Sequence, residues 1–140
     1  MQKSQGGCLC SAIRYSLSGN PLHSVTCHCK TCRAASGAPS VAWLTFRRDD
    51  FQIVKGSPRL FPSSPRVSRT FCPRCGTPLT YEKGDNPSTI DITTCSMDEP
   101  GLFPPNREVW LEHRLSWEAL NEQLEHYARG SECYSGTKTR

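Results

Sequence analysis

Seven cysteines fall into three tight groups, and their spacing narrows the folds open to this chain more than any other feature. The groups are Cys8-Leu9-Cys10, Cys27-His28-Cys29-Lys30-Thr31-Cys32 and Cys72-Pro73-Arg74-Cys75-Gly76. The last is a Cys-x-x-Cys-Gly knuckle. Two intervening residues let the backbone turn around one metal, and Gly76 can take the positive φ such a turn can require. A knuckle supplies two donors, whereas structural Zn²⁺ takes four in a tetrahedron. Cys8 and Cys10, one residue apart on an extended strand, present both side chains on one face and can complete the set. Cys8, Cys10, Cys72 and Cys75 therefore read as a closed, structural zinc centre tying the N-terminal strand to the middle of the fold.

Cys27, Cys29 and Cys32 remain, and three readings compete for them. Cys29-Lys30-Thr31-Cys32 is itself a Cys-x-x-Cys, but a thioredoxin-like pair belongs in a βαβ context that the sequence lacks. A closed zinc site needs a fourth donor, with His28 and Cys95 as candidates. His28 lies between two ligands in an extended segment, so its side chain should point the other way. The third reading is an open zinc, with three protein ligands and one vacant position, as catalysis uses. It is the expectation adopted here. Three thiolates outweigh the charge of the metal, which makes it a weak Lewis acid and a good host for a soft ligand, the sulfur of a thiol substrate. Coordination favours the thiolate of a group whose pKa is normally about 8.5. A thiolate so formed can attack a small aldehyde.

Composition supports metal over disulfides. The cysteines number nine in 140 residues, an odd count. No apolar run is long enough to cross a membrane, and "MQKSQGGCLC" has no apolar core of a secretory signal. A reducing, cytoplasmic setting is the expectation, and there clustered cysteines serve metal or catalysis. The formal charge of +4 counts every cysteine as neutral. Seven thiolates on two dications lower it by three, to near neutrality, which removes most of the electrostatic case for nucleic acid.

Eleven prolines and ten glycines break the chain into short segments. Residues 9–17, 40–46, 51–56, 59–64, 66–71, 78–83 and 88–97 read as strands bounded by turn formers, with 108–115 as the last. Their spacing suits antiparallel sheets in a mainly β domain. A short helical turn can follow Cys32. One longer helix is expected at the C-terminus, "SWEALNEQLEHYARG" (116–130), from Ser116 as N-cap to Gly130, with Trp117, Leu120, Leu124 and Tyr127 on one face. The tail beyond it is polar and reads as frayed, with Cys133 as an ordinary tail thiol. The expectation is a single zinc-binding domain over 1–140, its core about 6–128. Trp43, Phe46, Phe51, Phe61 and Phe71 are assigned to the core.

"GGCLCSAIRY", "CHCKTCRAASGAP", "FCPRCGTPLTY" and "SMDEPGLFPP" occur in an order that resembles the glutathione-dependent formaldehyde-activating family. That family includes S-(hydroxymethyl)glutathione synthase, and centromere protein V is a relative. The resemblance covers roughly residues 6–118. It implies a zinc-containing β-tent of antiparallel sheets and two Zn²⁺ per chain, one on the first pair plus the knuckle and one on the central trio. The central ion would be the one prone to loss on purification. It also implies a carbon–sulfur lyase or synthase joining glutathione to formaldehyde, with Cys27, Cys29 and Cys32 as both catalytic and metal-ligating residues. Three positions depart from the pattern: Ser11 stands where Gly is usual, Ala34 where Lys or Arg is common, and Glu108 where His is common.

Other residues are candidates of lower rank. Lys30 and Arg33 lie nearest the trio and can steer an anion. Arg66 and Arg69 can hold a carboxylate of a tripeptide. His28 can act as a proton shuttle or support a ligand, and Asp98 as a turn former or part of the site. The alternative to an enzyme is a non-catalytic zinc-stabilised module binding protein or nucleic acid. It would be favoured by an extended basic arm, and the chain carries none. A redox sensor without metal at the trio is a third reading.

Overall fold

The short segments between turn formers become strands in a computed structural model that describes residues 2–130 and 138–139. The chain divides into two units, each assembled from two separate stretches. Unit 1 is Met1–His23 with Leu44–Phe103, and unit 2 is Ser24–Trp43 with Pro104–Arg140.

Unit 1 holds an antiparallel sheet in the order β1 (Lys3–Gly7), β2 (Arg14–Ser18), β5 (Phe51–Lys55). It also holds an antiparallel meander of β6 (Arg59–Ser64), β7 (Val67–Phe71), β8 (Pro78–Lys83) and β9 (Thr89–Thr93). β9 is flanked by β4 (Val41–Arg47), whose Leu44–Arg47 part lies in this unit. Period-2 alternation places Tyr15, Leu17, Leu44, Phe46 and Ile92 fully inside, and with Ile13, Phe51, Leu79, Ile90 and Met97 they form one apolar cluster. Each such side chain contributes about 1.5–3 kcal/mol of burial. Cys8 and Cys72 belong to the same cluster, so the core reaches the metal-ligand candidates directly. The cluster also explains Gly6. A Cβ there would strike the Tyr15 hydroxyl, which hydrogen-bonds Ser96 Oγ at 2.7 Å.

Unit 2 contains β3 (His23–Cys27, from Ser24 onward), β10 (Arg107–Val109), β11 (Glu125–Tyr127) and β12 (Lys138–Thr139), ordered β12-β11-β10-β3. β10 runs parallel to both β3 and β11. The expected all-antiparallel arrangement is thus mixed in this unit. Parallel neighbours need long connections, and both are long here: β3 and β10 are far apart in sequence, and residues 110–124 carry the chain from β10 to β11.

That connection is also why the expected C-terminal helix over 116–130 is not formed. Residues 114–124 are turns and irregular chain, and 125–127 are strand β11. The Asn121 N–H and C=O, which a helix would use internally, go instead to Glu108 Oε2 (2.7 Å) and His126 Nε2 (3.0 Å). Trp117 is 70% exposed, so the apolar stripe has found no surface to cover. A helix of this length is marginal without such packing, and tertiary pairing of His126 with Glu108 wins. The α-helix observed is α1 (Lys30–Ser36), which begins within the central cysteine group and takes in the short turn expected after Cys32.

Three smaller expectations also change. The strand over 108–115 stops at Val109, because Trp110 is left-handed (φ 58) and a 3-10 turn, Leu111–His113, follows. Phe61 is 58% exposed on β6, a strand that lies at the end of its meander, whereas Trp43, Phe46 and Phe51 are buried and Phe71 partly so. In the tail expected to fray, Lys138–Thr139 pairs with β11, while Cys133 lies outside the described residues.

Candidate metal centres

In unit 1 the Cys8–Cys10 pair lies in the turn between β1 and β2, and not on an extended strand as its spacing first implied. The turn is held by Ile13 N–H donating to Cys8 Sγ at 3.2 Å, by Cys8 N–H to Ile13 O, and by Ser11 N–H to Cys8 O. Ser11 adopts φ 66, a left-handed conformation that a residue with a Cβ takes at a cost. Across from it, the knuckle follows β7. Gly76 has φ 81, and its N–H donates to Cys72 O at 2.8 Å, as the Cys-x-x-Cys-Gly pattern leads one to expect. The Arg74 and Cys75 N–H groups point at Cys72 Sγ, both at 3.4 Å.

The four sulfurs lie within 4.8 Å of one another, with Cys8–Cys10 at 3.6 Å and Cys10–Cys72 at 3.7 Å. A tetrahedron with Zn–S near 2.3 Å requires sulfur separations of about 3.8 Å, so the donors fit that ion. The cysteines are free thiols and not disulfides. Thr77, which sequence reasoning missed, links the two halves. Its hydroxyl accepts from Leu9 N–H at 3.1 Å and contacts Cys75 Sγ at 3.2 Å. That hydroxyl, with backbone N–H groups, lowers the Cys75 thiol to about 5. At Cys10 the Ala12 amide works downward, but burial and the sulfurs of Cys8, Cys75 and Cys72 outweigh it and raise the thiol to about 11.

In unit 2, Cys27 ends β3, Cys29 is the N-cap of α1, and Cys32 lies in the helix's first turn. The Cys29 sulfur accepts the Cys32 N–H at 3.3 Å, so the x-x spacing of this pair is a capping turn. Gly37 ends the helix at φ 68. The three sulfurs lie within 4.8 Å of one another. Cys27 and Cys32 are buried and Cys29 is half-buried, so the trio meets solvent on the Cys29 side. Hydrogen bonds from Cys27 and then Cys32 hold the Cys29 thiol far below its ordinary range, and contacts with Cys29 and then Cys32, with burial, drive Cys27 far up. The thiol held low is thus the accessible one. Three soft donors at this spacing fit Zn²⁺.

The remaining candidates are placed as follows. His28 is fully buried. Its Nε2 donates to Glu108 Oε1 at 2.7 Å, and it is not among the metal-capable groups. Cys95 is exposed and belongs to neither cluster. Lys30 is exposed at the start of α1, and Arg33 is half-buried one turn on. In unit 1, Arg66 is exposed, while Arg69 is buried, with its guanidinium 4.8 Å from the Tyr81 ring centre and Nε 3.1 Å from Ser63 Oγ. Asp98 pairs with Arg14 through two hydrogen bonds, at 2.9 and 2.5 Å. Sequence reasoning noted Glu108 as a departure but missed its partners, His126 above all, because residues 116–130 were assigned to a helix.

Among the described residues no helix is long and apolar enough to cross a membrane. No curated protein matches the chain by sequence. Among solved structures, the crystal structure of a Rhodobacter sphaeroides protein is similar at TM-score 0.56 and 23% identity, over 67% of this chain and 87% of that one. That likeness speaks for the fold. The sequence profile described as "Glutathione-dependent formaldehyde-activating enzyme" matches residues 3–113, a span that takes in all three cysteine groups. The chain belongs to the glutathione-dependent formaldehyde-activating family.

Proposed function

We propose that this protein catalyses addition of glutathione, or a similar small thiol, to formaldehyde or another small aldehyde, a carbon–sulfur bond-forming reaction whose reverse is a lyase step. The observation that carries this reading is the Cys27–Cys29–Cys32 trio. It gathers three soft donors, with the accessible member facing solvent, in a chain of this family.

These three residues would hold a zinc ion. When bound, it would supply a soft cation with room for one more sulfur, favouring the thiolate form of an incoming thiol. The chain's own groups do the rest. Buried Cys27 and Cys32 fix the site from the inside, and capping of Cys29 by the Cys32 N–H fixes its outer edge. Lys30 and Arg33 follow directly on α1 and place positive charge for the carboxylates of a tripeptide. In the reaction the thiolate sulfur forms a bond to the aldehyde carbon, the carbonyl π pair moves to oxygen, and that oxygen takes a proton to give the hemithioacetal. The four-cysteine cluster of unit 1 would hold a second, structural zinc. A reducing, cytoplasmic setting, in which clustered cysteines stay reduced for metal, goes with this reading.

Hemithioacetals also form unaided, so the test is exchange spectroscopy of glutathione and formaldehyde with and without zinc-replete protein. The expected result is a rate above background that returns to background in Cys29→Ser, together with a new sulfur signal at the zinc edge on adding glutathione to the wild type. A wild-type rate equal to background, or a trio closed by a fourth protein donor, overturns the reading and leaves a zinc-stabilised binding module in its place.

A further inference from the structure

Glu108 is 4% exposed, and both of its carboxylate oxygens are engaged. Oε1 accepts from His28 Nε2 at 2.7 Å. Oε2 accepts from the Asn121 N–H at 2.7 Å, with His126 Nε2 at 3.8 Å. A carboxylate withdrawn this far from water persists only where such partners replace its hydration. These partners come from the loop carrying the cysteine trio, from the connection between β10 and β11, and from β11 itself.

The hold on the loop is specific. His28 lies between Cys27 and Cys29, and two consecutive residues of β10 grip it. Glu108 takes its ring, and Val109 O accepts its backbone N–H at 3.0 Å. His28 Nδ1 is buried with no partner among the described residues, so the ring's polar anchorage is through Glu108. The chain here is extended, with Cys29 at φ −66 and ψ 152. Neighbouring side chains on extended backbone point to opposite sides. Fixing the His28 ring on one side therefore aims the flanking sulfurs to the other.

We propose that Glu108 is a positioning residue for the Cys27–Cys29–Cys32 site: it locks His28, thereby presets the two flanking sulfurs, and with its second oxygen ties Asn121, in the connection between β10 and β11, to the same point. The role assigned to those sulfurs rests on the reading given under Proposed function, while the hold on the loop can be measured without metal.

The experiment compares Glu108→Ala, Glu108→Asp and Glu108→Gln in the full chain. Amide hydrogen exchange is measured with and without chelator, and Co²⁺ titration is followed by thiolate-to-metal absorption. In Glu108→Ala the His28 and Asn121 amides are expected to lose protection together, by about 10-fold or more, with β7–β8 amides unchanged. Cobalt affinity of the trio is expected to fall about 10- to 100-fold, with the four-cysteine site unchanged. Glu108→Asp is too short to span both partners and should show the same pattern at smaller size in a folded protein. Glu108→Gln keeps an acceptor for Asn121 and offers its amide to the other tautomer of His28, so it should recover most of both signals. Unchanged His28 protection in Glu108→Ala and Glu108→Asp overturns the proposal, as does loss confined to Asn121. If the wild-type trio takes up no cobalt, the functional reading fails, and the exchange data still decide the role of Glu108.

Discussion

The two cysteine clusters are built into different kinds of surroundings. In unit 1 the four sulfurs adjoin a cluster of Tyr15, Leu17, Leu44, Phe46 and Ile92, all fully buried, and Cys8 and Cys72 are part of it. In unit 2, which carries the trio, the buried residues include Ser24, His28, Glu108 and His126, polar groups that must be paired to stay inside. Apolar packing is tolerant of direction, whereas hydrogen bonds are not. The first arrangement therefore suits a site whose task is cohesion, and the second a site whose task is the exact aim of a few atoms.

The sharpest way to break this contrast is a pair of cysteine-to-serine changes. Cys72 is fully buried in the unit 1 cluster. Cys72→Ser should abolish metal at that centre and, because structural zinc is worth on the order of 10 kcal/mol in small domains, should eliminate the cooperative melt. Cys29→Ser changes a half-buried residue at a helix N-cap to another side chain that can cap, so its cost in stability should stay under about 1 kcal/mol. Calorimetry and zinc stoichiometry on the two variants check both outcomes. Equal destabilisation would erase the distinction between a cohesive and an aimed site.

A smaller effect concerns the Arg14–Asp98 pair of unit 1. The Arg14 guanidinium holds the Asp98 carboxyl below its ordinary value. A carboxyl lowered by folding stabilises the folded state above its unfolded pKa, near 3.9, and that increment is lost as pH falls through the folded value. The pair is partly exposed, at 28% and 45%, so the increment is within about 0.2–1 kcal/mol. Asp98→Asn should therefore be slightly less stable than wild type at neutral pH and should converge with it below about pH 4. Denaturant titrations at several pH values would show it. The smallest effect expected is at Ser11. Its left-handed backbone is costly for a residue with a Cβ, so Ser11→Gly should raise stability by up to about 1 kcal/mol, read as a small rise in melting temperature.

What could be read from the amino acids divides along the same line. β6 and β8 begin and end where Pro, Gly and Asp predict, and the knuckle shows its glycine and its turn, because these features are local. Cys8 and Cys10 were placed with Cys72 and Cys75 by counting donors, although the backbone between them is a turn and not the strand assumed. Residues 116–130 carry a helical period that long-range pairing overrides. Nothing within that window announces that Glu108 and His126 will be register partners. Polar networks of this kind join residues that are distant in sequence and have no periodicity, and so leave little trace in it.

The parallel neighbours β3 and β10 have a consequence for how the protein comes into being. Emerging from the ribosome, Ser24–Cys27 must wait until Arg107–Val109 have been made before the pairing can form, whereas the meander of unit 1 zips up between adjacent segments. Throughout most of its synthesis the nascent chain therefore carries three neighbouring thiols without the strand that later steadies them, and its safety from oxidants in that interval depends on the cell and not on the fold.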